Sequence, residues 1–242
     1  MNVTAFVRDY TKIRRAEGRG SDNPEFYRNL PDCPDEHPLA WQWRTHRRTF
    51  ACFRDRALPG LALGSEIVDL GAARHFAPSW PRLQTEFDDL PLDDVCVDAV
   101  VFNASLHYST DYARTLREAL RLLRPGGSIV ILETPVHDHE SSGRRMMEER
   151  HAAFQARYGT RSDSVASIEY LTWERLRALE PELNITWNVI YPGYGVGWAL
   201  RPWIAKWQRK REPSRFPILQ AWKRWGQGFR PAAGLRPGDH SS

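Results

Sequence analysis

The chain has no long hydrophobic run. Nowhere in its 242 residues does an apolar stretch approach the roughly 20 needed to cross a bilayer. Its first residues lack the apolar core of a signal peptide, so the expectation is a cytoplasmic protein with no membrane partner. Cysteine is scarce as well. Cys33, Cys52 and Cys96 have no metal-ligand spacing, and an odd number closes no disulfide framework, which implies reduced thiols with Cys96 partly buried. No tandem repeat is present. The rest is ordinary: 26% charged and 41% hydrophobic residues suit a globular chain long enough to bury a core. The net charge of +4 concentrates in two basic clusters, Arg44 to Arg56 and Arg201 to Arg230, both interleaved with tryptophan. Arginine among aromatics fits half-buried helices better than a nucleic-acid surface, so nucleic acid is not an expected partner.

The stretch Val97 to Glu133 organises the chain. Ala99-Val100-Val101-Phe102 is a continuous apolar run, as in a strand covered on both faces, and it ends at the polar Asn103. From Asp111 to Arg124, the positions Tyr112, Leu116, Ala119, Leu120 and Leu123 recur at threes and fours, with arginine and glutamate between them. That spacing predicts a surface helix. Pro125-Gly126-Gly127 should stop it, and Ile129 to Leu132 reads as a second buried strand. Strand, helix and strand make a right-handed βαβ unit with parallel strands.

Around this unit, residues 1–57 read as a helical N-terminal lid, with a basic helix over Tyr10 to Arg19, a turn at Asp22 to Pro24, loop over Pro31 to Pro38 and helix over Ala40 to Arg56. Glu66 to Ala72 reads as a strand ending in an acid and a glycine, Ala73 to Trp80 is too short for a full crossover helix, and Arg82 to Phe87 suggests another strand. After Glu133 come a loop to Ser142, a charged helix over Gly143 to Tyr158, and a helix over Leu171 to Leu179 with Thr172 as N-cap. Leu183 to Tyr191 and Phe216 to Trp222 suit antiparallel strands, so residues 58–229 make one α/β domain and 230–242 a disordered tail. Tyr191 to Trp198 has glycines at suggestive spacing, but no helix clearly starts there, so a flexible loop is expected. The doubly wound pattern places ligands outside the carboxyl ends of the strands.

Two segments, EFDDLPLDDVCVDAVVFNASLHY and TLREALRLLRPGGSIVILE, carry a resemblance to the class I S-adenosylmethionine-dependent methyltransferases, of the methyltransferase type 11-like kind. They are similar to that family's third-strand end with its acid and Leu-Pro, its fourth strand and loop, and its fifth strand preceded by Arg-Pro-Gly-Gly. The resemblance implies a Rossmann-like sheet with helices on both faces, S-adenosylmethionine as cofactor and a small-molecule acceptor. It puts Glu86 at the adenine amino group and Phe87 at the ring, Asn103, Ala104 and Ser105 beside the methionine moiety, and His107 and Tyr108 toward the substrate. Methyl transfer needs mainly alignment, so a base is optional; His107, Tyr108 and His137 are the candidates.

The upstream half departs from the family. Ile67-Val68-Asp69-Leu70-Gly71-Ala72 starts like the acid-and-glycine loop after strand 1, giving Asp69 and Gly71 a cofactor role, but Ala73-Arg74-His75-Phe76 replaces the further glycines. Only 29 residues, 98 minus 69, separate Asp69 from Asp98, less than half of what the intervening elements ordinarily need. The fold is therefore shortened by about one βα unit, and Asp69 is either the strand 1 or the strand 2 acid. Weak or absent cofactor binding follows, and the alternative function is a noncatalytic methyltransferase-like scaffold. His137-Asp138-His139-Glu140 resembles a metal cluster, but alternate loop residues are as easily solvated, and no metal is expected.

Overall fold

In the computed structural model, which describes residues 3–17, 29–71 and 85–224, the run Ala99 to Phe102 lies at the centre of a sheet within β2, Val97–Asn103. Ala99, Val100 and Phe102 have no exposed surface, because layers cover both faces of the strand. β2 pairs in parallel with β1, Ile67–Leu70, on one side and with β3, Leu123–Leu132, on the other. Beyond β3 run the antiparallel strands β7, Ile218–Trp222, and β6, Asn188–Ile190, giving the order β1-β2-β3-β7-β6. A mostly parallel central sheet flanked by helices is the expected Rossmann-like α/β architecture.

The crossover between β2 and β3 is α3, Tyr112–Leu122. Two helices precede it in the chain, α1, Val3–Ala16, and α2, Ala40–Cys52. The Asp111 carboxylate accepts from the Arg114 N–H at 3.0 Å and so caps its first turn. Tyr112, Leu116, Ala119, Leu120 and Leu122 are buried. The helix ends at Leu122, ahead of the Pro-Gly-Gly expected to stop it, because Leu123 is already extended and pairs with Val97. Arg124, which precedes the proline, is itself disfavoured in helix. Gly126, at φ +81°, then turns the chain into the buried half of β3.

Alternation along the strands sorts the core into two layers. Leu70, Val100, Phe102, Ile129 and Ile131 pack with α3 and with α5, Trp173–Leu183. Val101, Val130 and Leu132 pack with Ala57, Phe50 and Phe53, which belong to α2, Ala40–Cys52, and the π-helical turn that follows it. Thr172 caps α5 as expected, its hydroxyl accepting from the Arg175 N–H at 3.2 Å.

Several boundaries differ from expectation. The N-terminal helix α1 is Val3–Ala16, starting well before Tyr10, and it packs against α4, Glu140–Tyr158. α4 in turn starts before Gly143, since Glu140 is held in place by the Tyr170 hydroxyl at 2.6 Å and by the Arg175 guanidinium. The loop before it contains β4, Val136–His137, paired with β5, Leu171–Thr172. Of the strand expected over Arg82 to Phe87, the described part is a turn in which Glu86 bridges Asp89. A helical turn, α6, Val196–Ala199, begins where a loop was expected, after Gly195 at φ +94°. The features expected at Asp22 to Pro24, Ala73 to Trp80 and 230–242 lie outside the described residues.

Gly143 fixes how closely α4 meets Tyr170, because a Cβ added there would overlap the Tyr170 ring. That ring is tied at its hydroxyl to Glu140. Gly143→Ala is expected to cost about 1–3 kcal/mol through overpacking. Urea unfolding measures it, and a loss below ~0.5 kcal/mol would show that the ring yields freely.

Candidate functional site

The carboxyl ends of β1 and β2 meet at one edge of the crevice where ligands sit in doubly wound sheets. In that order the first strand lies beside the fourth, while the second does not. β2 corresponds to the fourth strand of the resemblance, so its pairing with β1 puts Asp69 in the first-strand place. Among the described residues β1 ends the sheet, and no described strand fills the two outer places.

Asp69 is paired in register with Val101 and so faces the α2 layer. Its Oδ1 is buried without a partner among the described residues. Burial alone pushes this carboxyl up to about 6. Gly71 follows at φ +91°, and a Cβ there would overlap that of Ser105. The Ser105 hydroxyl donates to the Leu70 carbonyl, so the loops after β1 and β2 are clasped directly. Ala104 takes φ +52°, and its N–H donates to the Leu132 carbonyl at 3.0 Å, which leaves it unavailable to a ligand.

His107 and Tyr108 continue from this loop in a short 3₁₀ turn, their ring centroids 4.3 Å apart. His107 is buried with Nδ1 unpartnered among the described residues. Burial, and then the charges of Arg150 and Arg14, push its imidazole down to about 3. Burial raises the Tyr108 phenol, which also takes a hydrogen bond from Arg14 Nη2 at 3.4 Å. A neutral but weakly basic imidazole and a protonated phenol are both poorly matched to accept a proton near pH 7. His137 is buried too, lowered by desolvation, and Glu212 at 3.9 Å is beyond hydrogen-bond reach.

Of the residues assigned by resemblance, Asp69, Gly71, Asn103, Ala104 and Ser105 come together at the ends of β1 and β2. Glu86 and Phe87 are placed otherwise. Glu86 is exposed, and Phe87 packs edge-on against Phe102 at 6.4 Å, in the layer opposite Asp69. Their loop is anchored to α3 instead: the Leu90 N–H donates to Glu118 at 2.8 Å, and Arg121 reaches the carbonyls of Leu90 at 3.0 Å and Leu92 at 2.8 Å.

Sequence reasoning missed Glu133. It closes β3 at φ +55°, its Oε2 is 2.9 Å from His46 Nδ1 on α2, and its Oε1 is buried without a partner among the described residues. The signal resembled the one that singled out Asp69: an acid at the end of an apolar strand.

Comparison with known proteins bears on this end of the sheet. Residues 62–131 match the family described as methyltransferase domain. A ubiquinone/menaquinone biosynthesis C-methyltransferase UbiE from Idiomarina loihiensis is 39% identical over 51 residues, 21% of this chain and 20% of that protein. Its counterpart from Geotalea daltonii is 30% identical over 81 residues, 32% and 34% of the two chains. The chain thus matches between 20% and 34% of these relatives' lengths. Among solved structures, a methyltransferase from Thermotoga maritima described as a possible histamine N-methyltransferase aligns over 77% of this chain and 98% of its own, at 15% identity and a TM-score of 0.40. The matched segment runs from the approach to β1 almost to the end of β3. The match is to a methyltransferase domain over residues 62–131 of the 242, and S-adenosylmethionine is the cofactor that such a domain indicates.

The described residues fit such a group on one count. Asp69 Oδ1 is a buried acceptor lacking a donor, which a hydroxyl or ammonium of a bound molecule would supply. The same atom generates a pH test. A carboxyl raised from its unfolded value near 3.8 to about 6 favours folding below pH ~4 and loses that contribution as pH rises through 6. Asp69→Asn should therefore be more stable than the parent at pH 7.5, by on the order of 2–3 kcal/mol, and the gap should close by pH 4. Urea unfolding of both proteins across this range checks it, and a gap independent of pH would refute the assignment.

Proposed function

We propose that the protein is an S-adenosylmethionine-dependent methyltransferase acting on a small-molecule acceptor, with weakened hold on its cofactor. The observation carrying this reading is a coincidence: the matched segment 62–131 brings a half-buried acid whose Oδ1 has no partner among the described residues, Asp69, near the carboxyl end of β1 beside β2. Relatives named for ubiquinone and menaquinone biosynthesis support a small-molecule acceptor. Asp69, Asn103 and Ser105 would hold the cofactor, with Glu133 and His46 lining the same end of the sheet.

When bound, S-adenosylmethionine supplies a methyl group already activated by its sulfonium. The chain's own part is positioning: His107 and Tyr108 stay uncharged, exclude water and orient the acceptor, while α1 and α2 act as the lid over the 58–229 domain. Arg14, which pairs with Glu17 at 2.7 Å, ties that lid to Tyr108.

The clasp between Ser105 and Leu70, with Gly71 seated on Ser105, favours the second reading, a scaffold without cofactor. Thermal unfolding separates the two. With a Kd of about 100 µM, 1 mM S-adenosylmethionine stabilises the native state by about 1.4 kcal/mol. The expected rise is about 3–5 °C. Asp69→Ala should abolish it. No rise at 5 mM ligand would establish the scaffold reading, and binding at low micromolar Kd would overturn the weakened site.

A further inference from the structure

The segment after β6 runs against the ordinary rule for surfaces. α6 is followed through Leu200 by α7, Arg201–Trp207, and the two form one nearly continuous helical stretch: Leu200 N–H bonds Val196 O at 3.1 Å, and Ile204 N–H bonds Leu200 O at 3.0 Å. At 100° per residue, Val196, Leu200, Trp203, Ile204 and Trp207 fall within an arc of about 100°. That arc faces solvent. Val196 is 77% exposed, Trp203 73% and Trp207 84%, with Leu200 and Ile204 near half. The opposite side packs onto the protein, where the Trp198 ring stacks on Arg201 at 3.9 Å and meets Tyr194 and Phe216.

Charge tells what such a face meets. Tyr191 to Arg211 contains no acid, and Lys206, Arg209 and Lys210 are exposed without an ion pair among the described residues. An isologous contact with a second copy would set this basic cluster against itself. Single-stranded nucleic acid would use the tryptophans for stacking, but gains nothing from the exposed aliphatics Val196, Leu200 and Ile204 beside them. A bilayer interface uses all three features: tryptophan at the headgroup level, aliphatics just beneath it, and lysine and arginine against anionic lipid.

We infer that the face formed by α6 and α7 docks on the surface of an anionic lipid bilayer. The helices lie in the interface rather than cross it. No helix among the described residues is long and apolar enough to span a membrane, and interfacial binding needs none. The expectation of no membrane partner followed from the lack of a spanning run, which does not bear on this mode. Docking is also independent of the methyltransferase reading, because none of these side chains is among the residues at the carboxyl ends of β1 and β2.

Sedimentation with vesicles tests it, using the full chain, phosphatidylcholine alone or with 30% phosphatidylglycerol, and the variant Trp203→Ser/Trp207→Ser. Both replaced side chains are solvent-exposed, and an unchanged urea midpoint verifies folding. The expected result is retention on the mixed vesicles, at least tenfold weaker for the variant, and weaker on neutral vesicles and in high salt. Equal retention of parent and variant, or none for the parent, would overturn the proposal. So would a parent dimer that the variant converts to monomer, or tryptophan-dependent retention of single-stranded oligonucleotide without vesicle binding.

Discussion

The parallel ladder on either side of β2 is the constraint on which the rest depends. A strand buried on both faces must be wholly apolar where it is covered and can turn polar only where it emerges, so Asn103 marks the level at which chemistry becomes possible. Register carries that level sideways. Leu70 is aligned with Phe102, and Asn103 with Leu132, so Gly71, Asn103 and Leu132 lie at one level, with Ala104 and Glu133 one residue beyond, although they are far apart in the chain. A slip of one residue would exchange the two core layers and turn Asp69 away from α2.

Two half-buried acids near this level have different neighbours. Glu133 has His46 across from it. Asp69 has only desolvation, which makes it the more expensive group to bury ionised. An acid kept at such cost is understandable where it has a task, and the clasp of Ser105 on Leu70 shows how little room the neighbouring backbone leaves for performing it.

Much of the architecture was legible because the sequence is locally consistent there. The apolar run of β2, the spacing of Leu116, Ala119 and Leu120 in α3, and Thr172 as a cap each state one structure without competition. What escaped depended on long-range partners. Glu140 starts α4 because Tyr170 and Arg175 hold it, and Leu123 leaves α3 because Val97 offers it a ladder. Neither partner is visible in local spacing. The site was legible in part: an acid and a glycine after an apolar strand singled out Asp69 and Gly71, but Glu86 and Phe87 were inferred by counting from Leu90-Pro91, and that dipeptide's place is set by Glu118 and Arg121. The α6–α7 face escaped because tryptophan among arginines reads as packing until its exposure is known.

The signature Arg-Pro-Gly-Gly leads to a different end of the molecule. Arg124 donates to Asp98 at 2.9 Å and pairs with Glu66 at 2.5 Å, while the Glu66 N–H donates to Asp98 at 2.8 Å. These contacts staple the beginnings of β1, β2 and β3, at the end of the strands opposite Asn103. The most recognisable residues of the chain thus record how its strands are tied at their foot. Such a signature can outlast the chemistry at the other end, so kinship read from it measures the keeping of a frame and leaves the fate of the reaction to be decided at Asp69.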